Sequence, residues 1–181
     1  MDQGLLPRRY AKAFYKYALE KDYAKRAYDL MNNLDSSFDQ NPSMAQVIAN
    51  PYVEDSKKVA LLITAAGADK DKDLPLNDFY KLLVKNHRLD QIHAIALDYA
   101  KLYRKANNIY NVNIESASEL NSADADRIKD MIYRHLGDAK VQYTFKVTPD
   151  LIGGFVVTID SERLDASVRN ELEQLRLNLL K

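Results

Sequence analysis

Thr148-Pro149-Asp150-Leu151-Ile152-Gly153-Gly154-Phe155-Val156-Val157-Thr158-Ile159, continuing through Leu164-Asp165-Ala166-Ser167-Val168-Arg169-Asn170-Glu171-Leu172, is the stretch that decides the fold. It reads as a turn, a strand, a second turn and an amphipathic helix. Pro149 fixes a backbone angle, Asp150 suits a turn, and Gly153-Gly154 permits positive φ where a strand re-enters a sheet. Asp165 is positioned to cap a final helix whose Val168, Leu172, Leu175 and Leu179 share one face.

Upstream, Tyr110, Val112 and Ile114 alternate with Asn111, Asn113 and Glu115, the period-two pattern of a half-buried strand. Ser122 opens a helix with Ala125, Ile128, Ile132 and Leu136 on one side, and Gly137 closes it. Val141, Tyr143, Phe145 and Val147 then alternate with polar residues in a second strand. Residues 107–181 therefore read as a small α+β unit, β-α-β-β-α, near the lower size limit for independent stability. Such a unit is expected to lean on a partner.

Before Asn107 the period is that of helices. Tyr10, Ala11, Phe14, Tyr17 and Ala18 share a face after Pro7; Ala24, Ala27, Met31, Leu34 and Phe38 share another. A short segment with Met44, Val47 and Ile48 lies between Asn41-Pro42 and Asn50-Pro51. Ser56 is placed to cap a fourth helix ending at Gly67, and Asn77 a fifth bearing Phe79, Leu82 and Leu83. The sixth and longest stripe runs from Ile92 to Ala106. Residues 1–106 read as a six-helix all-α bundle, hinged to the α+β unit at Ala106–Ile109.

Composition limits what such a chain can do. Its 181 residues are 46% hydrophobic and 29% charged, as in an ordinary globular protein. No apolar run reaches the roughly 20 residues of a membrane span, and no apolar segment follows Arg8-Arg9 as in a secretory leader. Direct membrane insertion is not expected. Cysteine is absent, removing disulfides and thiolate chemistry together. Net charge is zero, with 17 Lys/Arg against 14 Asp/Glu up to Ala106 and 9 against 12 beyond it. That balance argues against a nucleic-acid binder.

The search for reactive groups returns little. Asp69-Lys70-Asp71-Lys72-Asp73 has alternating carboxylates like a calcium loop, yet Leu74 occupies the required glycine position and Tyr80 the required glutamate. A solvated interhelical loop is the better reading. His87, His93 and His135 lack metal-ligand spacing, and Gly153-Gly154 lacks the further residues of a phosphate loop. Twelve tyrosines invite base stacking, but Tyr10, Tyr17, Tyr99 and Tyr103 fall on apolar helix stripes. No catalytic residue, metal or cofactor is assigned.

The same landmarks carry a resemblance. Arg9-Tyr10-Ala11-Lys12-Ala13-Phe14 matches an opening R-Y-A-x-A-hydrophobic helix, Asn50-Pro51 an N-P break, and Leu83 to Leu89 an L-x-x-N-x-R-L junction. Ser116-Ala117 with Leu120 matches S-A-x-x-L. The Leu151-Ile152-Gly153-Gly154 turn precedes D-x-S-x-x-x-x-L-x-x-L from Asp165. Ordered over nearly the whole chain, these resemble the delta subunit of bacterial F-type ATP synthases, the counterpart of the oligomycin-sensitivity-conferring protein. The segment Asp160-Ser161-Glu162-Arg163 lacks the glycine often found there.

The resemblance implies a non-catalytic stator connector, peripheral on the cytoplasmic face of the bacterial inner membrane. Its helical unit would bind N-terminal segments of the alpha subunits in a groove between the first and fifth helices. The matching residues are Tyr10, Ala13, Phe14, Tyr17, Phe79, Leu82 and Leu83. Three or four buried apolar anchors at ~1.5–3 kcal/mol each, less ordering costs, allow nanomolar affinity of about −12 kcal/mol. The second unit would contact the b subunits of the peripheral stalk through Leu172, Leu175, Leu179 and Leu180. The alternative is a generic helical adaptor in another assembly.

Overall fold

The computed structural model describes residues 4–160 and 162–179. The chain divides into two compact units, Met1–Ala106 and Asn107–Lys181. Among the described residues it is a mixed α and β protein with eight α-helices and one four-stranded sheet.

The first unit contains α1 (Leu5–Glu20), α2 (Ala24–Gln40), α3 (Ser43–Ala49), α4 (Asp55–Ala66), α5 (Leu74–Lys85) and α6 (Ile92–Ala106). The α2 stripe expected from spacing is buried throughout: Ala24, Ala27, Met31, Leu34 and Phe38. Helix α6 packs along both α1 and α2, and α4 packs on α2. Their shared core includes Phe14, Leu30, Leu34, Leu62, Leu83, Ile95 and Tyr99. The Tyr99 hydroxyl donates to the Ala24 carbonyl at 3.1 Å, so this buried ring keeps a partner.

Helix ends explain the connections. Asp22 takes φ +53° after α1, and the Tyr23 amide returns to the Ala18 carbonyl at 2.8 Å, a left-handed stop made without glycine. Gly67 ends α4 in the same conformation at φ +67°, as its place in the sequence suggests. Two α2 side chains reach the orphan carbonyls there: Asn33 donates to Ala66 and Ser37 to Ala65. Two expected starts need correction. Helix α4 begins at Asp55, before Ser56, and α5 begins at Leu74 with Pro75 in its first turn. Asn77 lies inside α5, where its amide donates back to the Lys70 carbonyl at 2.6 Å.

The second unit contains β1 (Ile109–Ser116), α7 (Ser122–Leu136), β2 (Lys140–Val147), β3 (Gly154–Ile159), β4 (Glu162–Ser167) and α8 (Val168–Leu179). The sheet order is β2-β1-β3-β4. β1 and β2 are parallel, as the α7 crossover between them requires, while β1/β3 and β3/β4 are antiparallel. Ile128 and Ile132 of α7 pack on Val112, Ile114 and Val157, covering the centre of one sheet face.

This corrects the expected β-α-β-β-α order to β-α-β-β-β-α, with four strands instead of three. Asp165 does not cap the last helix; it lies in β4 opposite Val156. Its Oδ1 accepts from the amide and hydroxyl of Ser167, and the Ser167 hydroxyl oxygen accepts the Asn170 amide at 3.2 Å. Ser167 is the cap, and Asp165 orients it. Gly154 takes φ +74°, and a β-carbon there would meet the Ala166 carbonyl oxygen at 2.2 Å. Only glycine lets β4 close on β3 at this point.

Candidate functional site

Each unit carries exposed apolar residues on a helix, Leu82 on α5 and Leu172 and Leu175 on α8. On α1 and α5 the expected groove residues separate into two groups. Phe14, Phe79 and Leu83 are buried in the core. The reason is direct: the Phe14 and Phe79 rings stack on each other, and Phe14 also tilts against Tyr99 at 5.2 Å. Phe14 and Phe79 thus hold α1 to α5. Ala13 is exposed, Tyr10 and Tyr17 are half-buried, and Leu82 is 45% exposed. Tyr10, Ala13 and Tyr17 recur at helical spacing along α1, and Leu82 stands one turn beyond Phe79 on α5. Lys21 lies over the Tyr17 ring at 5.9 Å from its centroid, leaving a cation beside the apolar strip.

The Asp69–Asp73 loop proves to be more than solvated connection. Asp73 is the residue before α5, and its side chain is only 3% exposed. Its Oδ1 accepts from the Tyr23 hydroxyl at 2.7 Å and from Arg26 Nε at 3.2 Å. Its Oδ2 accepts from Arg26 Nη2 at 3.1 Å and from the Asp69 amide at 2.8 Å. Burial alone would raise the Asp73 carboxyl; bonds from Arg26, Tyr23 and the Asp69 amide outweigh it, and the carboxyl sits below its ordinary value. Burial, then the bond to Asp73, drives the Tyr23 phenol upward. Sequence inspection leaves Asp73 in a solvated loop, because its partners lie 47 and 50 residues away.

In the second unit α8 is exposed along its described length, with only Asn170 half-buried. Arg169, Asn170 and Glu173 line an open cleft of about 350 Å³ with Arg163, Asp165 and Ser167 of β4. The apolar stripe is left outside: Leu172 is 53% exposed and Leu175 58%. These leucines do not cover the sheet, since α7 does so. Leu180 lies outside the described residues, as does the side chain of Leu179. At the opposite edge of the sheet, Phe145 and Val147 of β2 are also about half exposed.

Two of the histidines and a tyrosine pair have structural partners. His93 Nε2 is 2.8 Å from Asp35 and its ring stacks on Phe38 at 4.5 Å. His135 lies 3.6 Å from Glu162. Tyr28 and Tyr103 stack at 4.4 Å, a helix-to-helix contact rather than a platform for bases. Among the described residues no group of three or more His, Cys, Asp or Glu could hold a metal ion. Nor is any described helix long and apolar enough to cross a membrane.

Comparison with known proteins supplies the context for these faces. Residues 6–179 match the family model described as ATP synthase delta (OSCP) subunit. ATP synthase subunit delta of Parabacteroides distasonis is 34% identical over 99% of this chain and 98% of its own length. That of Bacteroides thetaiotaomicron is 32% identical, over 97% of this chain and 94% of the relative. A chain in the cryo-EM structure of the Toxoplasma gondii mitochondrial ATP synthase hexamer matches the fold with a TM-score of 0.73. It shares 18% identity, over 97% of this chain and 98% of that one.

Proposed function

Because the chain belongs to the ATP synthase delta (OSCP) subunit family, a non-catalytic component of that complex, we propose that it is the connector between catalytic head and peripheral stalk. In this role it resists torque so that the head stays still while the rotor turns, coupling rotation to ATP synthesis and proton transport. The first six helices act as one bundle that takes N-terminal segments of the alpha subunits. The incoming segment lies along Tyr10, Ala13, Tyr17 and Leu82, helix against groove. The buried Phe14, Phe79 and Leu83 form the floor that fixes the groove's shape.

The second unit takes the b subunits of the stalk on the outward stripe of α8, led by Leu172 and Leu175, with Leu179 and Leu180 continuing it in sequence. One observation carries the reading: within a match spanning nearly the whole chain, each unit leaves an apolar helix strip uncovered. The chain is a peripheral component of a membrane-associated complex, and in this reading it sits on the cytoplasmic side of the bacterial inner membrane.

Reconstitution tests the proposal. ATP synthase stripped of this subunit should hydrolyse ATP without pumping protons, and adding the chain back should restore pumping. Restored pumping without the chain would overturn it, as would a chain that rejoins the complex yet leaves coupling unchanged.

A further inference from the structure

Helices α1 and α5 are tied at two points. Phe14 and Phe79 stack at 4.2 Å between centroids, and Tyr23, just beyond the end of α1, donates to Asp73, just before the start of α5, at 2.7 Å. Going from Phe14 to Tyr23 therefore runs against the direction from Asp73 to Phe79, so the helices are antiparallel. Along α5 the six residues from Asp73 to Phe79 separate the ties by roughly 9 Å of helix. One contact between two rods leaves them free to pivot. Two contacts this far apart fix both their separation and their crossing angle.

We infer that Asp73 is a positioning residue for the α1–α5 face, presetting its width for an incoming helical segment; this rests on the proposed binding of alpha-subunit N-termini there. The geometry suits the task. Asp73 does not bond the free amides at the start of α5, the usual work of an acid at that position. Its carboxylate is turned toward α2, where Arg26 grips both oxygens and Tyr23 one of them. Tyr23 is itself fixed from both sides: its amide closes α1 on Ala18, and its carbonyl accepts the Ala27 amide in the first turn of α2. The acid thus transmits the placement of the α1–α2 turn to the head of α5. With the tie released, the head of α5 loses its polar anchor to the α1–α2 turn and keeps only the apolar packing of Leu76, Phe79 and Tyr80, so a smaller part of the population presents the binding width, which lowers apparent affinity by that fraction.

The test uses the full chain and a synthetic peptide of the alpha-subunit N-terminal segment from the same organism, followed by surface plasmon resonance at a temperature where every variant is folded. Asp73→Asn should weaken binding about tenfold, the loss lying in association rate with dissociation little changed. Tyr23→Phe, which keeps the Arg26 pair, should fall between the two and covers the case in which Asp73→Asn does not fold. Ile48→Val in α3 is the control: it lowers stability while leaving both ties intact and should bind as wild type does. Wild-type affinity in folded Asp73→Asn or Tyr23→Phe would overturn the inference, as would an equal loss in the control. If the wild-type chain ignores the peptide, the groove reading itself fails and takes this inference with it.

Discussion

The Phe14 and Phe79 rings are stacked with an interplanar angle of 18° and a centroid separation of 4.2 Å, so these two expected groove residues pack on each other. Phe14→Ala should cost about 3–5 kcal/mol through lost burial and the cavity left behind. Leu82→Asp, at a site 45% exposed, should change stability by only about 0.5 kcal/mol. Urea denaturation of the two variants checks the contrast. Equal losses would mean that Leu82 belongs to the core.

Acid should loosen the first unit through Asp73. Its carboxyl is held below the ordinary 3.8, so the unfolded chain binds the proton more readily than the folded one. The contribution is therefore complete above the unfolded value and is lost as pH falls below about 4 toward the folded value. Asp73→Asn should lower stability at neutral pH and flatten the loss on acidification. Circular dichroism melts between neutral pH and pH 2.5 measure both. An unchanged slope in the variant would place the acid sensitivity elsewhere.

Gly154→Ala should destabilise the second unit by at least about 1–3 kcal/mol. It meets a positive φ and a carbonyl 2.2 Å from the new methyl at once. Thermal denaturation monitored at amides of β3 and β4 isolates the effect. A wild-type melting temperature would show that the hairpin can shift to make room.

Tyr80 is fully buried and its hydroxyl has no hydrogen-bond partner among the described residues. Burial pushes this phenol well above its ordinary range. Tyr80→Phe removes a desolvated group and keeps the ring, so stability should be unchanged or rise by up to about 1 kcal/mol. A loss of more than about 1 kcal/mol would show that the hydroxyl is satisfied.

Much of the architecture was legible because hydrophobic spacing is local information. The α2 stripe, the left-handed stop at Gly67 and the switch from helical to alternating pattern at Tyr110 all needed only neighbours in sequence. β4 escaped because Glu-Arg-Leu-Asp-Ala-Ser, at residues 162–167, carries few apolar residues and forms a sheet edge, while Asp165 before Ser167 imitates a helix cap. The candidate sites were less legible for a different reason. Phe14 and Leu82 give the same periodic signal, and only packing separates the buried ring from the exposed leucine. Asp73 stood out only as one of several alternating loop carboxylates, since a buried carboxylate is recognised by partners that the fold brings from elsewhere in the chain.

The most direct test of the connector account is a bridging measurement with the full chain. An alpha N-terminal peptide and a soluble b-subunit dimer are titrated separately and then together by calorimetry. Both should bind, and together they should form a ternary complex. Leu82→Asp should abolish only the peptide, and Leu172→Asp with Leu175→Asp only the stalk. Mutual exclusion of the two ligands, or loss of both from either substitution, would contradict the account.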